Sequence, residues 1–289
     1  MLVLFTDTDT DMTPEKAKKY GYHLISMPYS IDGTTVYPYE DFDVFEYRAF
    51  YTQLRNGTIP TTSSNTEERY LAYFEPILQN GDDILYVHFS KALSATFNHM
   101  DLAIKKLLEK YPDRRIDLID TKSNTIGSLT IVEEIGEMYL AGKTTAEMLA
   151  WAEKEVDHFA LYFFADDLRF FRRSGRVSGI AATMGNMIGI RPIIYINDEG
   201  KLVSIAKERG RARAMARLVQ YVADLGDDIK SHPVIIGHTD APEIAGQIAD
   251  MMHEKFGEDL QIEVLTVNPT SGSHCGPDGV GISFHAVHR

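Results

Sequence analysis

The stretch ILYVHFSKALSATFN, residues 84–98, runs from an apolar strand into three hydroxyls, Ser90, Ser94 and Thr96, and then into a helical pattern. Hydroxyls at such a junction can activate a nucleophile, bind an anion, or cap the helix. Free backbone N–H groups and the positive end of the helix dipole attract anions to a helix start. No Gly-Lys-Ser/Thr follows, which excludes a phosphate loop of Walker type. The stretch has no glycine and Lys91 is its only lysine, so a small single anion such as a carboxylate fits better than a polyphosphate. A serine nucleophile requires a G-x-S-x-G elbow and a positioned base, and LSATF is not that elbow.

Two more polar loops carry similar chemistry. In TIPTTSSNTEE, residues 58–68, Pro60 holds Ile59 extended, and a run of hydroxyls precedes a helix that opens on Glu67 and Glu68. Ser64 with Glu67 fits a capping box. One cap needs one hydroxyl, and this loop has several. In SGSHCGPDGVGISF, residues 271–284, glycines 272, 276, 279 and 281 allow close approach of the chain to something, and His274 sits among them. A histidine in that setting is either structural or a donor to a bound anion. Cys275 beside it suggests a Cys–His dyad, but neighbouring side chains of an extended chain point apart.

A rival chemistry lies at the N-terminus. Asp7, Asp9 and Asp11 follow a strand, and Asp9–Thr13 spells the D-x-D-x-T nucleophile motif of haloacid-dehalogenase-like phosphatases. Strand-end carboxylates bind magnesium and attack phosphate, so a magnesium-dependent phosphohydrolase is the alternative reading. Its register is poor: the Asp that directly follows the strand is Asp7, which leaves Asp11 where the motif has Thr or Val. Asp166-Asp167 would supply the later acidic motif, although Asp is also usual at a helix start. A calcium EF-hand fails, because no glycine stands sixth from Asp7 and Lys18 stands twelfth.

At 289 residues the chain is long for one core, and two domains are expected. Residues 2–5 are too short and lack the basic flank for a signal peptide, and no apolar run reaches the length of a membrane span. The single cysteine, Cys275, rules out an intrachain disulfide and suits a reducing cytoplasm. A net charge of −13 speaks against nucleic acid as a partner. Between Arg169 and Arg217, however, eleven Lys/Arg face three Asp/Glu, a local balance of +8. That stretch is either a solvated helix face or a surface for a phosphate or an acidic partner.

Strand-length apolar runs at Val3–Phe5, Tyr22–Tyr29, Ile84–Phe89, Ile116–Ile119 and Leu161–Phe164 alternate with helical patterns at Phe42–Asn56, Glu67–Leu78, Ala95–Lys110 and Ser123–Leu140. Alternation of that kind predicts a mostly parallel sheet in a three-layer α/β/α arrangement, with ligands beyond the carboxyl ends of its strands. The second half differs. Asn197–Gly200 marks a β-hairpin, a long helix is expected at Arg211–Leu225, and strand, helix, strand and a final strand follow. This predicts an α+β domain with a mixed or antiparallel sheet. The boundary is set near residue 158, giving domains 1–158 and 159–289.

Taken together the motifs resemble the DegV family of fatty acid-binding proteins, from end to end of the chain. Thr6-Asp7-Thr8 with Asp11-Met12 resembles its T-D-S-x-x-D-L opening, and Thr62-Ser63 its T-S pair. SKALSATF is similar to S-x-x-L-S-G-T-Y, and Asp120-Thr121 to a D-S that ends a later strand. LRFFRRSGRVSG resembles L-x-x-L-x-x-G-G-R-I, IGIRPIIYINDEGKL the K-P-I-x-x-x-x-x-G-x-I that follows, and HCGPDGVGISF the terminal H-x-G-P-G-x-x-G. The resemblance implies a carrier without catalytic activity, metal or cofactor: a bacterial, cytoplasmic, monomeric protein with the EDD fold that holds a long-chain fatty acid between its two domains. It implies Thr62, Ser94 and His274 around the carboxylate, with Ser63 and the Ala95 N–H close by, and a separate fatty acid kinase as partner. The apolar tunnel is expected to draw on Phe163, Phe164, Met184, Met187 and Ile188. Arg172, Arg176 and Arg209 are candidates for the kinase face or the new phosphate. Three residues depart from the family pattern: Ala95 and Asp278 replace glycines, and Ser174 replaces the first glycine before Arg176.

Overall fold

The computed structural model describes residues 1–178 and 189–289. Its first part runs β1 (Leu2–Asp7), α1 (Pro14–Tyr20), β2 (Tyr22–Ile25), β3 (Tyr29–Ile31), β4 (Thr34–Val36), α2 (Tyr47–Arg55), β5 (Thr61–Thr62), α3 (Glu67–Gln79), β6 (Asp83–His88), α4 (Thr96–Lys110), β7 (Ile116–Asp120), α5 (Thr125–Leu140) and α6 (Thr145–Glu155). The order β2-β1-β6-β7 forms a wholly parallel sheet. Both faces of β1 and β6 are covered, which is why they read as continuous apolar runs and not as alternating ones. Phe5, Ile84 and Tyr86 pack toward α3 and α4 on one side. Leu4, Leu85 and Val87 pack toward α1 and α5 on the other.

The second part runs β8 (Phe159–Phe164), α7 (Leu168–Ser174), β9 (Val177–Ser178), β10 (Ile190–Ile196), β11 (Leu202–Arg209), α8 (Arg211–Leu225), β12 (Val234–His238), α9 (Pro242–Phe256), β13 (Ile262–Thr266), α10 (Pro269–Cys275) and β14 (Val280–His285). The described strands form a mixed sheet in the order β13-β12-β14-β8-β10-β11-β9, mostly antiparallel at its centre. The expected hairpin is present: the Asn197 side chain accepts from Lys201 N at 2.9 Å and closes the turn between β10 and β11. Period-two alternation along β8 divides the sheet's two faces. Ala160, Tyr162 and Phe164 join a core with α8 and α9, whereas Phe159, Leu161 and Phe163 face α5. Helix α5 is buried almost all round because it is packed between the two sheets.

Several local expectations are corrected. The run Tyr22–Tyr29 is two strands in two sheets. It breaks because Ser26 N bonds to the Tyr73 hydroxyl and Met27 N to Thr8 Oγ1, and no neighbouring strand takes either. β3 then joins β4 and β5 in a three-stranded antiparallel sheet whose apolar side packs with α2 through Tyr29, Phe50, Tyr51 and Leu54. The cap of α3 is Thr66, which accepts from Arg69 N, and not Ser64 with Glu67. The start of the glycine-rich passage is helix α10, opened by Asn268, whose side chain accepts from Ser271 N at 2.9 Å, with Pro269 in the first turn. Met184, Met187 and Ile188 lie outside the described residues.

Candidate functional site

The loops that follow β1, β6 and β7 all end at the carboxyl edge of the parallel sheet, and that edge meets one face of the mixed sheet. Between them is a cleft bordered by Asp9, Ser94 and Asn124 from those loops and by Leu161, Phe163 and Leu202 from the mixed sheet. Two glycines let the apolar wall pack closely. Gly237 and Gly281 are register partners, and Gly281 pairs in turn with Phe163. A Cβ at Gly281 would lie 2.8 Å from Phe163 Cβ, so this packing requires glycine.

The polar end gathers the predicted hydroxyls and the histidine. Thr62 comes from β5, held in register with Tyr29, and its Oγ1 is 3.0 Å from His274 Nε2 on α10. Ser94 stands in extended backbone before α4, half-buried, and its Oγ accepts from Thr96 N at 3.2 Å. That bond uses a lone pair and leaves the Ser94 proton to donate. Ser63 borders the same space and is exposed, as is Ala95 beside Ser94. Burial, aided by the charge of Arg176, pushes the His274 imidazole down to about 4. The ring is therefore neutral at neutral pH, and each of its tautomers leaves one N–H or O–H on the Thr62–His274 pair free to donate.

Of the three candidate arginines, only Arg176 borders the cleft. Arg172 and Arg209 are exposed elsewhere. The basic stretch is partly neutralised: Arg169 pairs with Asp167, Arg191 and Arg211 with Asp166, Lys201 with Glu199, and Arg217 with Glu208. Phe163 and Phe164 both border the cleft, but the strand alternation sends the Phe164 ring into the core of the opposite face.

The other two opening hydroxyls have different tasks. Ser90 donates to Gly200 O at 2.8 Å, which ties the parallel sheet to the hairpin of the mixed one. Thr96 accepts from Asn65 N and bonds to the Tyr70 hydroxyl. The acidic trio is also structural in part. Asp7 accepts from Asp9 N, Tyr86 and Phe89 N. Asp11 accepts twice from Asn268. Burial pushes both carboxyls up to about 7. The three carboxylates serve different partners, and among the described residues no cluster of acidic, histidine or cysteine side chains has the geometry to hold a metal. Burial, with Asp11 and Asp9 nearby, pushes the Cys275 thiol up to about 12, so it is no thiolate nucleophile.

The sequence model of the DegV family matches residues 1–287. The chain belongs to the DegV family. A DegV domain-containing protein of Clostridium perfringens is 32% identical over 283 residues, covering 98% of this chain and 96% of the relative. Among solved structures, a fat acid (stearic acid)-binding protein from Eubacterium ventriosum superposes with a TM-score of 0.85 at 18% identity, covering 99% of this chain and 98% of that one. A DegV family protein from Eubacterium eligens, loaded with heptadecanoic acid, gives 0.83 at 21%, covering 99% and 100%. At such identities these structures establish the fold, a DegV architecture of two domains. The family glycines are replaced here with little strain. Ala95 has φ −71°, an ordinary right-handed value. Asp278 has φ 64°, which Asp tolerates better than most residues, and its carboxylate pairs with Arg55 at 2.9 Å. Ser174 ends α7, and Gly175 after it takes the left-handed φ of 68°.

Met27, Asn124 and Ser271 are among the lining residues that escaped the sequence reading. Asn124 had a legible signal, since it follows strand β7 in the parallel sheet, where ligands collect. Ser271 opens the third polar loop without standing out in it, and Met27 had no signal. Among the described residues no helix is long and apolar enough to cross a membrane.

Proposed function

We propose that this chain is a carrier for a long-chain fatty acid, with no catalytic activity of its own. The observation that carries the reading is the pairing, in one cleft, of a donor-rich polar end with an apolar wall. Thr62, Ser94 and the neutral His274 supply hydrogen-bond donors without an activated base, and Arg176 supplies a positive charge. Such a set suits a carboxylate that is held and not attacked. Ser63 and the Ala95 N–H complete the cradle. The tail lies along Phe163 and the glycine row, where each buried methylene contributes about 0.8 kcal/mol. The cleft lies between the domains, divided near residue 158 in the connection from the parallel sheet to β8. The solved relatives that bind stearic and heptadecanoic acid support the ligand class.

The carrier works in the cytoplasm as a monomer and presents its carboxylate to a separate kinase, with exposed Arg172 and Arg209 on the docking face. Charge reversal at either arginine is expected to weaken coupling to the kinase, and unchanged coupling would return them to the solvated surface. Native and denaturing mass spectrometry of protein from a bacterial host tests the carrier itself. One fatty acid per chain, lost on Thr62→Ala with Ser94→Ala, is the expected result. A clean unliganded mass that takes up no added fatty acid would overturn it.

A further inference from the structure

The cleft contains polar groups that a plain alkyl chain does not need. Asp9 is only 8% exposed and borders the cleft, and among the described residues the one donor to its carboxyl from a side chain is Ser271 Oγ, at 3.3 Å. Its neighbours contrast with it: Asp7 and Asp11 are tied to backbone N–H groups and fixed side chains. Asn124 donates through Nδ2 to Ser271 Oγ at 3.1 Å, while its Oδ1 is buried with no hydrogen-bond partner. Asn124 also makes no side-chain cap to α5, although it stands at the capping position. A chain of methylenes would leave the Asp9 carboxyl with Ser271 Oγ as its one side-chain donor and offer Asn124 Oδ1 no partner, at the cost of a buried polar group.

Ser271 and His274 are three residues apart on α10. That spacing puts them on one face, about 4.5 Å apart along the axis. The second polar group therefore lies roughly one helical turn from the carboxylate cradle. Burial, with the charges of Asp7 and Asp11, pushes the Asp9 carboxyl well above its ordinary range, which favours the form that can donate as well as accept. An alcohol beside Asp9 would pair with its carboxyl, and Asn124 Oδ1, covered here, would meet the same hydroxyl once its side chain turns toward the cleft.

We infer that Asp9, Ser271 and Asn124 form a second polar station in the cleft, which selects an acyl chain oxygenated near its carboxyl end, a 3-hydroxy fatty acid. The inference rests on the fatty acid reading above and refines its ligand. The step is binding only, and no bond is made or broken.

The test is competition on the full-length chain, freed of bound lipid, with equimolar stearate, each enantiomer of 3-hydroxystearate, and 12-hydroxystearate, read by native mass spectrometry and calorimetry. One 3-hydroxy enantiomer is expected to displace stearate with at least a tenfold advantage that 12-hydroxystearate lacks. Asn124→Ala, and separately Asp9→Ala, should reduce that advantage to threefold or less. If Asp9→Ala does not fold, Asn124→Ala alone decides. The inference is overturned if stearate equals both 3-hydroxy enantiomers, if 12-hydroxystearate shares the advantage, or if the variants retain it. Failure of every acid to bind would instead remove the fatty acid reading itself.

Discussion

The two walls of the cleft are built in opposite ways. The parallel sheet meets it end-on, so what reaches the space are the loops after β1, β6 and β7, with Asp9, Ser94 and Asn124. The mixed sheet meets it broadside, so what reaches the space is one alternating set of side chains, Leu161 and Phe163, beside the Gly237–Gly281 row. Strand ends release backbone donors and tolerate polar residues, whereas a strand face next to a buried helix must be apolar. The parallel sheet thus contributes polar loop ends, joined by Thr62 of the small sheet and His274 of α10, and the mixed sheet contributes an apolar face.

The largest expected effect comes from breaking the apolar wall. Phe163→Glu puts a charge where the tail should lie, and binding of stearate should fall at least 100-fold, about 2.7 kcal/mol or more in calorimetry. An unchanged affinity would mean that the tail does not run along β8. Removing the polar end instead, by Thr62→Ala with Ser94→Ala, should cost about 1.5–3 kcal/mol for hydrogen bonds to a charged group. The melting temperature should barely move, because neither hydroxyl holds buried core together.

Two smaller effects separate binding from scaffold. Asp9 has a raised folded-state pKa, so its stabilising contribution is present below the unfolded value near 4 and is lost as pH rises. Asp9→Asn should therefore raise stability at pH 8, a gain that vanishes toward pH 4 in denaturant titrations. A gain independent of pH would refute the burial argument. Ser90→Ala removes the bridge to Gly200 and should cost about 1 kcal/mol of stability while leaving fatty acid affinity unchanged. The smallest effect concerns His274. Its value near 4 predicts that the ring takes up no proton around pH 7 on its own, so binding heats measured at pH 7 in buffers of different ionisation enthalpy should agree. A buffer-dependent heat would mean that binding moves a proton, on the ring or on Asp7 and Asp11, which titrate near 7.

Much of this comparison was legible beforehand. The alternation of apolar strands with helical periods gave the parallel sheet, and Asn197–Gly200 gave the hairpin, because these are local patterns. Thr62, Ser94 and His274 were legible as donors, and the structure brings them to one cleft, with the Thr62–His274 contact across 212 positions of sequence. The small sheet that carries Thr62 was not legible, since its strands are two or three residues long and give no periodic signal. Helix α10 was hidden by Gly272 within it and Gly276 just after it, which disfavour a longer helix in isolation; buried packing outweighs that local preference.

What the amino-acid sequence determined by itself was the inventory: which residues can donate, which runs must be buried, and the family to which the motifs belong. What only the tertiary structure decided was assignment. It separated Ser94, which faces the cleft, from Ser90 and Thr96, which hold the scaffold, although all three sit within seven residues. It moved Arg176 to the cleft and left Arg172 and Arg209 outside it. It turned Asp9 inward beside two aspartates that serve as struts. The physical reason is the same in each case. A hydroxyl, a guanidinium or a carboxyl has the same capacity for hydrogen bonds wherever it stands in the chain, and only packing fixes which partners, or which empty space, its atoms meet.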